Sequence, residues 1–313
     1  MIVLNMSNMK ISACLKWSPL LAFIVLAFAP LFAKTYYLTL LTSVMCWIGL
    51  AVSWHFFSGT TKYVSLGSAA FFGIGVYITA IFSRILPLPI VLLLAAAINF
   101  FFALCGVGLV TLRLKGIYFA IFTFGLAELL NNAILFWEMQ VTGTRGRFIT
   151  PVNVYYPILI ITFIIIFSII ILKRTKLGLA LRMIGECEDA AIHCGVNTTW
   201  YKILGFAVSS TFIGLLGAAF APRWGYIDSG MAFNSLYSFM PAIMTLFGGT
   251  GTFIGPIVGA VVISLLEEYL LTTFKDYFMI ILGITMIIVI LSLPDGMTGK
   301  FRKKAARTTE VPR

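Results

Sequence analysis

Charge is scarce in this chain: only 11% of its 313 residues are Asp, Glu, Lys or Arg, against 60% that are hydrophobic. No soluble domain of this size hides so much apolar surface, so the composition excludes a soluble protein and leaves a polytopic membrane protein. Cysteine is also sparse. Cys14, Cys46, Cys105, Cys187 and Cys194 form no CxxC pair and no paired extracytoplasmic spacing, which argues against a disulfide framework and against a metal site. No Walker A loop, GxSxG elbow or HExxH helix occurs. The chain is therefore expected to be non-catalytic, without a cofactor, and unable to hydrolyse ATP through the common motif. The net charge of +11 comes from bases placed between apolar runs and at the C-terminus. They make no stripe with interleaved aromatics, so they carry topology information and exclude a nucleic-acid partner.

What the chain has in abundance is apolar runs. Stretches of about 20 residues, enough to cross a lipid bilayer, fall at 17–33, 36–57, 64–83, 88–112, 117–138, 155–172, 203–221 and 277–293. A further apolar stretch, 237–270, is interrupted by Gly248-Gly249-Thr250-Gly251 and by Gly255-Pro256, and each half is too short to span comfortably. The expected fold is all-α: eight full transmembrane helices plus a broken or re-entrant helix pair. Residues 1–299 would form one transmembrane domain and 300–313 a basic cytoplasmic tail. The first run is expected to be retained, not cleaved as a signal peptide. Pro30 follows Ala27-Phe28-Ala29 directly, and a second run begins almost at once.

With the N-terminus inside, sixteen of the 22 Lys and Arg fall on the cytoplasmic side. Only Lys34, Arg84, Arg145, Arg147, Arg223 and Lys275 fall outside. This bias puts both termini and the long loop 173–202 in the cytoplasm. The stretch 237–270 must then return to its own side or cross twice.

The loop 173–202 is the long polar interruption between spans. It carries Lys173, Arg174, Lys176, Arg182 and Lys202 with Glu186, Glu188 and Asp189, and a short helix-compatible run at Asp189-Ala190-Ala191. Such a loop reads as a cytoplasmic docking surface on a transporter driven by a separate protein. Small residues recur at four-residue spacing (Ser65, Ala69, Gly73; Ser210, Gly214, Ala218; Gly251, Gly255, Gly259), which allows close helix packing. Broken backbone at 248–251 is expected either to pack or to line a passage. Glu128 stands as the one acid well inside a predicted span, where a carboxylate faces the bundle interior or a wet cavity. It is read either as a structural partner of Asn131 or Asn132, or as a contact for a substrate amine or a proton. Glu267 and Glu268 are expected at a solvated outer end, His55 at an interface and His193 in the loop.

Five motifs then line up in order. The run Ser65–Tyr77, SLGSAAFFGIGVY, resembles a signature of the LivM-type permeases of branched-chain amino acid ABC importers, and Arg113–Glu128 resembles a second. Gly178–Gly195 is similar to their cytoplasmic loop, Gly248–Gly259 to their glycine-rich turn, and Leu293–Gly296 to their closing motif. The resemblance covers roughly 36–300. It implies a permease of a prokaryotic inner membrane that works with a second homologous permease, cytoplasmic ABC ATPases and an extracytoplasmic solute-binding protein. It further implies a coupling helix near 182–195 seated in the ATPase. Gly178, Arg182, Glu186, Glu188, Asp189, Ala190, Ala191 and Gly195 are the residues assigned to coupling. The matching motifs nominate Ser65, Gly67, Ala69, Gly73, Tyr118, Thr123, Glu128, Gly248, Gly249 and Gly251 for the translocation path. Two departures stand out: Thr142–Arg147 lacks the family's acid, and Ser68 replaces its usual histidine. Urea or a short amide is thus the alternative substrate to leucine, isoleucine and valine. A secondary transporter that uses Glu128 is the alternative mechanism, and a membrane scaffold is a third.

Overall fold

The computed structural model describes residues 26–30, 34–108, 116–141, 143–274, 280 and 283–284. The described chain is helical apart from one two-residue antiparallel pairing, β1 (Arg147–Phe148) with β2 (Tyr226–Ile227). In membrane-deep sequence this follows from the backbone, whose N–H and C=O groups find partners within a helix where no water reaches. The long helices are α1 (Thr35–Trp54, prolonged by a π-helical turn to Gly59), α3 (Leu88–Phe101, prolonged likewise to Gly108), α4 (Ile117–Val141), α5 (Tyr155–Leu172), α8 (Thr198–Phe220) and α11 (Gly255–Thr273). Between them lie α2 (Ser68–Phe82), α6 (Lys176–Glu186), α7 (Glu188–His193), the single turn α9 (Ser229–Ala232) and α10 (Leu236–Gly248).

Among the described residues, six helices are long and apolar enough to cross a membrane. Five of them answer to expected spans, and the sixth is the second half of 237–270. The predicted span 64–83 is not one full-length helix but a 15-residue helix preceded by a non-helical arm, residues 62–67. The second half of 237–270 is a 19-residue helix, long enough to cross. The predicted spans 17–33 and 277–293 lie mostly outside the described residues, and the closing motif and the basic tail lie wholly outside them.

Helix α8 is the hub, packed against α1, α2, α3 and α5. Its best apolar window is 72% buried, whereas that of α4 is 17% buried, so α4 stands at the edge of the bundle. The α2–α8 seam is close because small residues meet on it, Gly75 against the Gly214 backbone and Thr79 Oγ1 on the Ala218 carbonyl at 2.9 Å.

The two ends of the bundle are marked by contacts. At one end α6 and α7 lie across the ends of α1 and α5 and the start of α8. There Gly185 meets the Thr60 carbonyl and Lys173 Nζ stands 5.1 Å from the Phe253 ring centroid. At the other end the Arg84 guanidinium donates to the Phe148 carbonyl at 3.0 Å, and Tyr36 Oη donates to Glu268 at 2.9 Å. Phe253 at the first end and Glu268 at the second show that α11 runs the full depth. The segment before it returns from β2 through α9 and α10. The stretch 237–270 therefore belongs to two traverses, the first broken and the second continuous.

Candidate functional site

The broken elements meet. Helix α1 ends in a reversal at Lys62, whose φ of 63° turns the chain back as the arm 62–67. A non-helical arm inside the bundle leaves donors and acceptors that a helix would have used, and several of them find side chains. Ser65 N donates to Ser58 Oγ (3.2 Å), Leu66 N to Thr123 Oγ1 (3.0 Å) and Gly67 N to Ser65 Oγ (3.3 Å). The Ser65 carbonyl accepts from Trp54 Nε1 at 2.7 Å. Helix α2 then begins inside the protein, and its Ala69 N donates to Ser238 Oγ in the first turn of α10 at 3.3 Å. Ser235, just before α10, donates to Glu128 Oε1 at 3.2 Å. Two half-length helices thus start side by side, and α4 serves both through Thr123 and Glu128. Behind the arm, Ser58, Ser65, Ser68, Ser209 and Ser210 help line a cavity of about 10 Å³, on the order of one water molecule.

Of the residues expected on the path, Ser65, Gly67, Ala69, Thr123 and Glu128 come together here. Gly73 is one turn further along α2, against the Phe233 ring. Tyr118 is exposed on α4. Gly248, Gly249 and Gly251 do not join the cluster. Their turn lies near the end of α5, where Gly248 packs on the Gly255 backbone and Gly251 is open. Hence the glycine break makes a hairpin between α10 and α11 at one end of the bundle, not irregular backbone at mid-depth. Glu128 takes Ser235 as its side-chain partner, while Asn132 donates to the Glu128 backbone carbonyl at 2.8 Å.

Sequence reasoning missed a second acid. Helix α4 continues to Val141, past the predicted end at 138, and Glu138 is fully buried and accepts from Gly146 N at 3.1 Å. His55, expected at an interface, is buried in the π-helical turn.

The loop 173–202 folds as a helix, a break and a helix. α6 is amphipathic, with Gly178, Leu181, Ile184 and Gly185 on its buried face. The two glycines lie two turns apart, and a Cβ at either would run into backbone, of Leu172 and Lys173 or of Thr60. The break is extended backbone at Cys187, after which α7 starts. The eight residues assigned to coupling divide between two faces. Arg182, Glu186, Asp189, Ala190 and Gly195 are exposed, with Arg182 and Glu186 paired at 3.3 Å. Gly178, Ala191 and Glu188 face inward instead. Glu188 accepts from Tyr63 Oη and from Lys202 Nζ, both at 2.6 Å. Burial, then the hydrogen bond to Glu188, hold the Tyr63 phenol above its ordinary pKa. The exposed face carries large apolar side chains that went unremarked in the sequence, Leu179 (61% exposed), Ile192 (53%) and Trp200 (50%). The period of α6 could have revealed the first, since Leu179 falls opposite its buried stripe.

A multi-pass helical bundle with half-length helices meeting inside it, and an amphipathic helical platform at one end, defines a membrane transport subunit. More particularly, the chain belongs to the family of the branched-chain amino acid transport system permease component, whose pattern matches residues 36–290. It is a non-catalytic transmembrane subunit of the ABC transporter class. The high-affinity branched-chain amino acid transport system permease protein LivM of Escherichia coli K12 is 28% identical, over 89% of this chain and 74% of that protein. LivH of the same organism is 25% identical over 53% of this chain and 54% of its own length. The autoinducer 2 import system permease protein LsrC of Yersinia enterocolitica is 27% identical over 36% of this chain and 32% of its own. No solved structure matches.

Proposed function

We propose that this chain is one membrane half of an ATP-driven importer for leucine, isoleucine and valine, delivered by an extracytoplasmic solute-binding protein. The observation that carries the ATP-driven part is the outward face of α6–α7. Leu179 and Ile192 lie exposed there, outside the candidate spans and beside the exposed charges of Arg182, Glu186 and Asp189, with Trp200 exposed in the first turn of α8 nearby. Apolar side chains of this size on a polar platform call for a protein partner, and a cytoplasmic ATPase is the partner that fits. A second permease is supported by the uncovered face of α4 and by the similarity of both LivM and LivH of Escherichia coli to this chain.

The solute would pass along α4, where the starts of α2 and α10 meet Thr123 and Glu128. Helix starts favour a carboxylate, and the Glu128 carboxylate favours an ammonium. Movement of the ATPases would reach the path through α6–α7, in two alternating arrangements of the bundle.

The test is purification of the tagged chain from its native membrane in mild detergent, with identification of what accompanies it. Recovery of two ATPases and a second permease supports the reading; recovery of the chain alone after gentle crosslinking overturns it. The accompanying system's binding protein is then titrated with leucine, isoleucine, valine and urea. Binding of urea alone would replace the proposed substrate class. Glu128→Gln is expected to slow leucine uptake about tenfold without stopping it, an interaction of roughly 1.4 kcal/mol. Complete loss, with uptake driven by an ion gradient and indifferent to ATP, would point to a secondary transporter.

A further inference from the structure

The platform is not merely laid on the bundle; one carboxylate fastens it. Glu188 is the first residue of α7, Lys202 lies in the first turns of α8, and Tyr63 belongs to the arm that leads to α2. The Lys202 and Glu188 side chains are 4% and 19% exposed, and their charges stand 2.6 Å apart. Lys202 Nζ also lies 4.7 Å from the Tyr63 ring centroid. Removing one member of a buried pair leaves an uncompensated charge, so these three groups resist separation. Tyr63 is further wedged edge-on against Phe119 of α4, at 5.9 Å between ring centroids.

From Tyr63 the chain runs in two residues to Ser65 and in three to Leu66, the donor to Thr123. The arm is not helical, so only these few residues separate the phenol from the donor to Thr123. A second kind of contact of the platform is a bearing, with Gly185 seated on the Thr60 carbonyl. The break at Cys187 separates the two. We propose that Glu188 is the positioning residue through which movement of α7 is passed, by way of Tyr63, to the arm 62–67 and so to the meeting point of the half-helices. Gly185 and Thr60 act as the pivot. Glu188 thereby belongs to the inner linkage and not to the surface that an ATPase touches. The inference rests on the proposed importer.

The test uses the importer purified whole in nanodiscs, with Cys187 and Cys194 replaced by Ser and a reporter, Val64→Cys, in the half-exposed arm. Labelling by a membrane-impermeant maleimide is compared with and without ATP and vanadate. The expected ratio is at least about fivefold, the lower range of coupling between sites. In Tyr63→Phe, which removes one hydroxyl and keeps the ring, the ratio falls towards one, while ATP hydrolysis and subunit recovery stay within about twofold. Glu188→Gln gives the same uncoupling; if that variant fails to accumulate, Tyr63→Phe alone decides. A wild-type ratio in Tyr63→Phe overturns the linkage and leaves the importer standing. Failure of the ATPases to purify with the unmodified chain overturns both.

Discussion

Lys173 shows how a single side chain at the edge of the bundle sets a pH dependence. Burial holds its ammonium pKa down to about 8, below the ordinary 10.5, beneath the packed ends of α1 and α5 and over the Phe253 ring. The folded state thus penalises the charged form. That penalty is fully present below pH 8 and is relieved as pH rises from about 8 towards 10.5, where an unfolded lysine still holds its proton. Lys173→Met is therefore expected to melt higher than the parent at pH 7, with the gap closing as pH passes 8. Thermal unfolding in detergent at pH 7, 8.5 and 10 checks this. A gap that does not change with pH would mean an ordinary, solvated lysine. Glu128 and Glu138 differ in the same concrete way. The first was legible because it sits in the middle of an apolar run, and the second was not because the run's end was placed three residues short. Glu188 was legible as a charged loop residue, but nothing in sequence distinguishes a carboxylate that faces out from one that ties α7 to α8.

At the scale of elements, apolar run length identified α1, α3, α4, α5 and α8, because a helix is what such a run must become in lipid. It misplaced the start of α2 and underrated α11. Residues 64–67 are apolar enough to read as part of a span, whereas hydropathy records composition and not the path of the backbone; and the half after the glycine break, read as too short, is a 19-residue helix. The four-residue spacing of Ser65, Ala69 and Gly73 looked like one helical ridge, yet Ser65 lies in the arm. The spacing of Gly255 and Gly259 was read correctly as close packing, and their partners are Gly248 and Met244 of α10. Two substitutions test the seams. Gly259→Val would meet the Met244 carbonyl and is expected to cost about 1–3 kcal/mol of stability by overpacking. The melting temperature and the detergent-resistant fraction should both fall. Gly185→Val would lift α6 from Thr60 by the same steric argument. There the expected loss is of ATP-driven uptake, with the spans still folded by circular dichroism.

At the scale of the molecule, the bundle is lopsided. Tyr118, Phe122, Gly125, Leu129, Asn132 and Phe136 form an exposed stripe along α4 on the side away from α8. An amide such as Asn132 is costly against lipid, so the second permease is expected to cover this stripe. A Gly125→Cys variant should react with a lipid-soluble maleimide about tenfold more slowly when the partner permease is co-expressed, a protection of roughly 1.4 kcal/mol in rate terms. Unchanged labelling would leave the stripe facing lipid. Membership of a permease family, the helical class and the platform between α5 and α8 were all legible in the sequence. The uncovered face was not, since apolar residues that meet lipid and those that meet another helix are chemically alike.

The short length of α2 bears on how the protein is made. Its 15 residues reach about 22 Å, well under the roughly 30 Å of hydrocarbon. The arm that completes the traverse bonds partly to its own neighbours and partly, at Leu66, to Thr123, and the start of α2 takes one bond from Ser238. Thr123 is translated 57 residues after Leu66, and Ser238 169 residues after Ala69. Until residue 238 has been made, the start of α2 lacks one of its partners. Biogenesis is therefore expected to hold it at the surface or in the insertion machinery until α4, α8 and α10 arrive, and a chain halted before residue 238 should be recognised by membrane quality control as unfinished.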